Sequence, residues 1–76
     1  MTGSILIGET SKNAREIYRF QLTEYQGHRL FDLRIYAKNK NGEYVATPKG
    51  ISIQADRIEL VGELILQGKK LLPLEN

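Results

Sequence analysis

The sequence predicts an α+β fold: a curved four-stranded antiparallel sheet followed by one C-terminal helix. Three observations predict it. Two stretches on either side of Gly27 alternate apolar and polar residues, the pair Asn41-Gly42 opens a further extended region, and the apolar period turns helical after residue 56.

Residues 1–14 read as a mixed, extended lead-in that closes on the polar turn Thr10-Ser11-Lys12-Asn13. From Glu16 to Glu24, Tyr18, Phe20 and Leu22 fall on one side and Arg19, Gln21 and Thr23 on the other, the period of a half-buried strand. Gln26-Gly27-His28 reads as a turn, with Gly27 free to take a positive φ. From Leu30 to Tyr36 the alternation returns, with Phe31, Leu33 and Ile35 on one face and Asp32, Arg34 and Tyr36 on the other. Two such strands joined by a short loop make an antiparallel hairpin.

A second turn spans Lys38-Asn39-Lys40-Asn41-Gly42. Glu43 to Ala46 reads as a short strand. Pro48, which cannot donate to a ladder, marks a break or a sheet edge, and Ile51-Ser52-Ile53 resumes extended structure. The hairpin and strands thus occupy 15–53. A helix is expected over 56–67, because Asp56 and Glu59 have capping-box spacing and Ile58, Val61, Leu64 and Ile65 form one apolar stripe. Gly62 inside it costs about 1 kcal/mol against Ala and is expected to permit close packing or a bend. Gly68 reads as the stop, and Lys69 and Lys70 suit the negative end of the helix dipole. The tail, 68–76, carries Leu71-Leu72-Pro73-Leu74 and is expected to dock on a surface, the other subunit being one candidate.

At 76 residues, the expectation is one domain over 1–76. A chain this short buries only about 60% of its unfolded surface, and such domains usually add disulfides, a metal or a second subunit. Without cysteine and with only His28 among the histidines, disulfides and Cys- or His-rich metal sites are closed, so a homodimer is expected. No apolar run approaches the ~20 residues that span a bilayer, and no basic residue precedes Ile5-Leu6-Ile7. The expected location is the cytoplasm, with no membrane partner.

The residues argue against an enzyme. There is no nucleophile elbow, no cysteine nucleophile, no P-loop and no dinucleotide-binding glycine pattern. His28 and Asp32 stand four apart on a strand and need not meet, and Asp32 with Glu43 lacks a third metal ligand. No catalytic residue, metal or cofactor is expected.

Charge points elsewhere. Net charge is +2, yet residues 12–49 carry eight basic side chains against four acidic ones. Proteins that hold single-stranded nucleic acid combine such cations with aromatic rings on which bases stack. Tyr25 at the hairpin tip, Arg34 and Tyr36 on one strand face, Lys49 beside Pro48 and Gly50, and Arg15 at the opening of the first strand supply both ingredients. Each also has a plain structural reading. Tyr25 packs on its turn, Tyr36 is a cross-strand packing partner, Arg34 pairs with Asp32, Lys49 is solvated and His28 is a polar turn residue.

The stretches Tyr25-Gln26-Gly27-His28-Arg29-Leu30-Phe31-Asp32-Leu33-Arg34 and Lys49-Gly50-Ile51-Ser52-Ile53 are similar to the transcriptional positive cofactor four family. Ile7-Gly8-Glu9 and Lys12-Asn13-Ala14-Arg15-Glu16 resemble its short bacterial members, and the likeness runs from about Ile7 to about Leu66. The resemblance implies four antiparallel strands and a helix, dimerised mainly through the helices, with paired sheets forming channels for two antiparallel single strands. It places Arg15 at a phosphate-contacting Lys, Tyr25 at a stacking Phe and His28 at a basic Lys. Arg34 and Lys49 fall on the family's binding-surface Arg and Lys, and Tyr36 on an aromatic there. The second stacking position, Trp in well-known members, is Ala37, with Lys38 and Tyr44 as candidates to compensate.

The function expected is therefore sequence-nonspecific binding of single-stranded DNA in transcription regulation, as a coactivator, or in recombination and repair, on the nucleoid if the source is bacterial. Single-stranded RNA binding, or a protein-interaction module of the transcription machinery, stands as the alternative.

Overall fold

A computed structural model of the chain describes residues 3–72. Strands β1 (Ile5–Ser11), β2 (Glu16–Tyr25), β3 (His28–Lys38) and β4 (Tyr44–Gln54) form one antiparallel sheet in the order β1-β2-β3-β4. A single 3-10 turn, Ala55–Arg57, leads into helix α1, Ile58–Leu71. The α+β architecture of four antiparallel strands and one C-terminal helix is as the sequence predicts, but the chain is divided differently. The lead-in supplies a full strand, β1, paired with β2 from Ile5↔Leu22 to Ser11↔Ile17. The pieces expected at 43–46 and 51–53 are one continuous strand, β4. Pro48 lies within β4 and not at a break; β4 is an edge strand, where a missing N–H leaves no interior ladder bond open.

The β2–β3 loop is shorter than the sequence implied. It holds two residues, Gln26 and Gly27, with φ of 50° and 81°, the double positive φ that a type I′ hairpin turn requires. His28 is consequently not a turn residue; it is the ladder partner of Tyr25. At the β3–β4 turn, the Asn39 Oδ1 accepts hydrogen bonds from the Asn41 and Glu43 N–H groups at 2.8 and 3.0 Å, and Gly42 takes a φ of 81°.

The helix is displaced relative to the expected 56–67. Asp56 lies in the 3-10 turn, neither helical segment has a side-chain cap, and the Asp56/Glu59 capping box does not form. Gly68 lies inside α1 and does not end it; the Leu72 N–H closes the helix on the carbonyls of Gly68 and Lys69. Lys69 and Lys70 occupy the last turn, as the dipole favours. Leu71 ends the helix, Leu72 is exposed, and Pro73 and Leu74 lie outside the described residues.

Strand alternation sorts the sheet into two faces. One carries Phe20, Phe31, Leu33, Ile51 and Ile53, and the Phe20 and Phe31 rings meet at 6.2 Å with their planes tilted by 56°. Ile58, Val61, Gly62 and Ile65 of α1 face this surface across a cleft of about 180 Å³. A Cβ on Gly62 would meet nothing within 4 Å, so the close packing expected there is not made within the chain. Ile17 and Ile35 are the only apolar side chains buried among the described residues, and α1 has none. Leu60, Leu64 and Leu66 on α1 are more than half exposed. The radius of gyration is 14.4 Å, against ~11 Å for a compact domain of this length. The accessible surface is 6253 Å², against ~4,700 Å² for a folded monomer of this mass. The sheet and helix of one chain leave their apolar surfaces largely open.

Candidate nucleic-acid interface

The face of the sheet turned away from α1 is polar, and its layout follows from register. With a two-residue hairpin loop, Arg19 falls directly opposite Arg34, and Gln21 opposite Asp32. Glu9 of β1 extends the first row beyond Arg19, and Ser52 of β4 extends the second beyond Asp32. Like charges directly opposite one another destabilise a strand pair. Here each guanidinium has its own carboxylate. Arg19 Nε donates to Glu9 Oε2 at 2.5 Å. Arg34 donates from Nε to Asp32 Oδ2 at 3.2 Å and from Nη2 to Asp32 Oδ1 at 3.0 Å, a two-pronged pair. Its Nη1 also donates to the Thr47 carbonyl at 3.4 Å.

Asp32 is the one buried charged residue among those described, at 5% exposure. Burial by itself raises the pKa of its carboxyl, but hydrogen bonds from Arg34 and Ser52 outweigh that cost and hold it below the usual carboxylate value. The Ser52 Oγ donates to Asp32 Oδ1 at 2.9 Å. The Asp32 hydrogen bond in turn raises the pKa of Arg34.

Tyr36 lies on the same face, two residues past Arg34. The Arg19 guanidinium carbon stands 3.9 Å from the Tyr36 ring centroid, a close cation–π stack. Gln21 Nε2 donates to the Tyr36 hydroxyl at 3.4 Å. Nearer the second turn, Lys38 and Tyr44 are ladder partners, with Lys38 Nζ 5.6 Å from the Tyr44 centroid. Each of these two aromatic rings thus carries its own cation.

The six residues singled out from sequence are placed as follows. Tyr25 and His28 face each other at the tip of the β2–β3 hairpin, and both are exposed, Tyr25 at 64%. By alternation they share the polar face with Arg34 and Tyr36. Arg34 is paired with Asp32, and Tyr36 packs cross-strand beneath Arg19, so the structural readings of both are realised. Lys49 is exposed on β4, where the register shifts opposite Ile35; its N–H donates to the Thr47 Oγ1 at 3.2 Å. Arg15 is exposed just ahead of β2. Its N–H donates to Asn13 Oδ1, its carbonyl accepts from the Lys38 N–H, and its guanidinium makes no bond among the described residues.

The structure therefore brings Arg34 and Tyr36 together, gathers Lys49 and Arg15 toward the same end of the hairpin, and leaves Tyr25 and His28 at the other. The ten residues of β2 put roughly 30 Å between those ends. Ala37, opposite Glu16 and Val45, has a methyl group where a ring would be needed to stack, and Tyr44 is the nearest aromatic along β4. Sequence reasoning missed Arg19 and Glu9. Loop length decides it, and strand alternation does not reveal loop length: a two-residue loop fixes Arg19 opposite Arg34, whereas the three-residue turn inferred from sequence does not.

The sequence profile of the family described as Transcriptional Coactivator p15 (PC4) matches residues 12–63, more than half of the chain. Among solved structures, the chain is similar to a PC4 homolog from Burkholderia pseudomallei in two crystal forms. In the orthorhombic form the TM-score is 0.81 at 27% identity, over 88% of this chain and 90% of that one. The tetragonal form gives the same TM-score and identity over 88% and 98%. No curated protein matches the chain closely enough to count as a relative.

Proposed function

This chain belongs to the transcriptional coactivator p15 (PC4) family, and on that premise we propose that it is a homodimer that binds single-stranded DNA without sequence preference. It acts in transcription as a coactivator, or in recombination and repair, in the cytoplasm, and on the nucleoid if the source is bacterial. The reading is of a binder and not an enzyme. The observation that carries it is the polar face, where Arg19 lies over Tyr36, Lys38 lies over Tyr44, and Tyr25 and His28 pair at the hairpin tip. Strands held this way meet phosphates through Arg15, His28, Arg34 and Lys49, and bases through Tyr25 and Tyr36. No described helix is long and apolar enough to cross a membrane.

A second subunit is supported by what one chain leaves open. The exposed Leu60 and Leu64 of α1 and the surplus accessible surface call for a partner, and an antiparallel pairing of two α1 helices covers both leucines.

The test is fluorescence anisotropy of a labelled strand of about 20 nucleotides, titrated across salt against duplex and RNA competitors. The expected result is affinity that falls steeply with salt, as counterion release requires, prefers single strands and collapses in the Tyr25→Ala/Lys49→Ala variant. A flat salt response, or no binding at low salt, would overturn the reading. A preference for RNA would change the ligand and keep the interface.

A further inference from the structure

The Tyr36 ring, a base-stacking group in the reading above, does not offer its face freely. The Arg19 guanidinium covers it at 3.9 Å. Arg19 is itself accessible, with 26% of its side chain exposed, and its Nε is turned to Glu9 on the outer strand β1. Its cross-strand neighbour, Arg34, is held by Asp32 and Thr47, which fixes the floor beside it.

We propose that the Arg19 guanidinium, backed by Tyr36, is the surface on which an unpaired base stacks on this face. This rests on the single-strand reading and names a contact within it. A guanidinium is planar and weakly hydrated, and it stacks on aromatic rings from either side. With Tyr36 beneath and a base above, the three planes form one stack. The guanidinium carbon already lies 3.9 Å from the ring centroid, and the hydrogen bond to Glu9 holds its Nε edge. A lysine at this position keeps the charge and loses the plane. Arg19 is thus a specificity-determining residue: it distinguishes a strand that bears unpaired bases from a bare chain of phosphates.

The experiment compares wild type with Arg19→Lys on two labelled strands of equal length, oligothymidine and an abasic phosphodiester, at one salt concentration. Thermal melting checks that the variant is folded. The expected result is a loss of about fivefold or more on oligothymidine and less than twofold on the abasic strand. Tyr36→Leu, which removes the backing ring and keeps the arginine, is expected to show the same selective loss and serves if Arg19→Lys is unstable. Equal losses on both strands would overturn the proposal, because Arg19 would then act through charge alone; so would unchanged affinity for oligothymidine. Failure of the wild type to bind oligothymidine would overturn the single-strand reading itself, which sets that outcome apart from the others.

Discussion

Gly50 lies directly opposite Arg34 in the β3–β4 ladder, and a Cβ built on it would stand 2.5 Å from the Leu33 carbonyl oxygen and 2.9 Å from the Arg34 Cα. Both neighbours are backbone, which cannot swing aside as a side chain can. The close approach lets β4 pass over Arg34 just where the register shifts, between the exposed Lys49 and the Ser52 that completes the Asp32 network. Gly50→Ala is therefore expected to destabilise the protein by roughly 1–3 kcal/mol and to weaken single-strand binding with it. Chemical denaturation at matched protein concentration and anisotropy check the two effects; an unchanged midpoint would refute the steric argument.

Asp32 ties β3 to β4 through Arg34 and Ser52. Its pKa is lower in the folded chain than in the unfolded one, so the unfolded state binds a proton more readily. The stability it contributes is present above the ordinary carboxylate pKa and is lost as pH falls through the lower, folded value. Asp32→Asn removes that pH-dependent part and leaves Arg34 without its counter-charge, at a cost of about 1–3 kcal/mol near neutral pH. Melting curves of wild type and variant are expected to converge as pH falls below ~4. A gap that stays constant with pH would show that Asp32 contributes by packing alone.

In the single-strand reading, the Glu9 carboxylate beside Arg19 repels phosphates, while the hydrogen bond it accepts from Arg19 is one that a glutamine amide oxygen can also accept. The pair is exposed, and exposed pairs contribute about 0–1 kcal/mol to stability. Glu9→Gln should leave the melting temperature nearly unchanged and raise single-strand affinity about two- to fivefold at low salt, the gain shrinking as salt is added. Unchanged affinity at low salt would place the strand's path away from β1.

Leu60 and Leu64 lie one helical turn apart on α1, and both are more than half exposed in the single chain. Sedimentation of the wild type is expected to give twice the 8.7 kDa chain mass. Leu64→Glu buries a charge in the proposed helix pairing and should dissociate the dimer or unfold it. A monomeric wild type would remove the explanation of its open surfaces.

Gln26 takes a φ of 50° in the hairpin turn, a conformation that costs a residue with a Cβ about 1 kcal/mol and that asparagine tolerates better. Gln26→Asn restores the preferred Asn-Gly turn and is expected to stabilise the hairpin by about 0.5 kcal/mol. Tyr25 and His28 remain ladder partners in that variant, so their part in binding should be unaffected; a change in affinity as large as that of Tyr25→Ala would mean the turn itself touches the strand.

What the sequence determined by itself is local. Side-chain alternation along 16–24 and 30–36 sorts residues between faces without reference to any partner strand, and it placed Arg34 and Tyr36 correctly on the polar one. The switch to a helical period announced α1 in the same way. Only the tertiary structure decided which residues meet across strands. Adding or removing one loop residue shifts every cross-strand partner, and the pattern of alternation within each strand does not reveal it. The pairing of Arg19 with Arg34, and the stacking of Arg19 on Tyr36 beside Glu9, depend on that single residue and on β1, whose lead-in sequence carries too little alternation to declare a strand. The helix boundary was decided the same way: α1 runs through Gly68 because the next three residues continue its hydrogen bonds, and a glycine stops a helix only where the chain then turns.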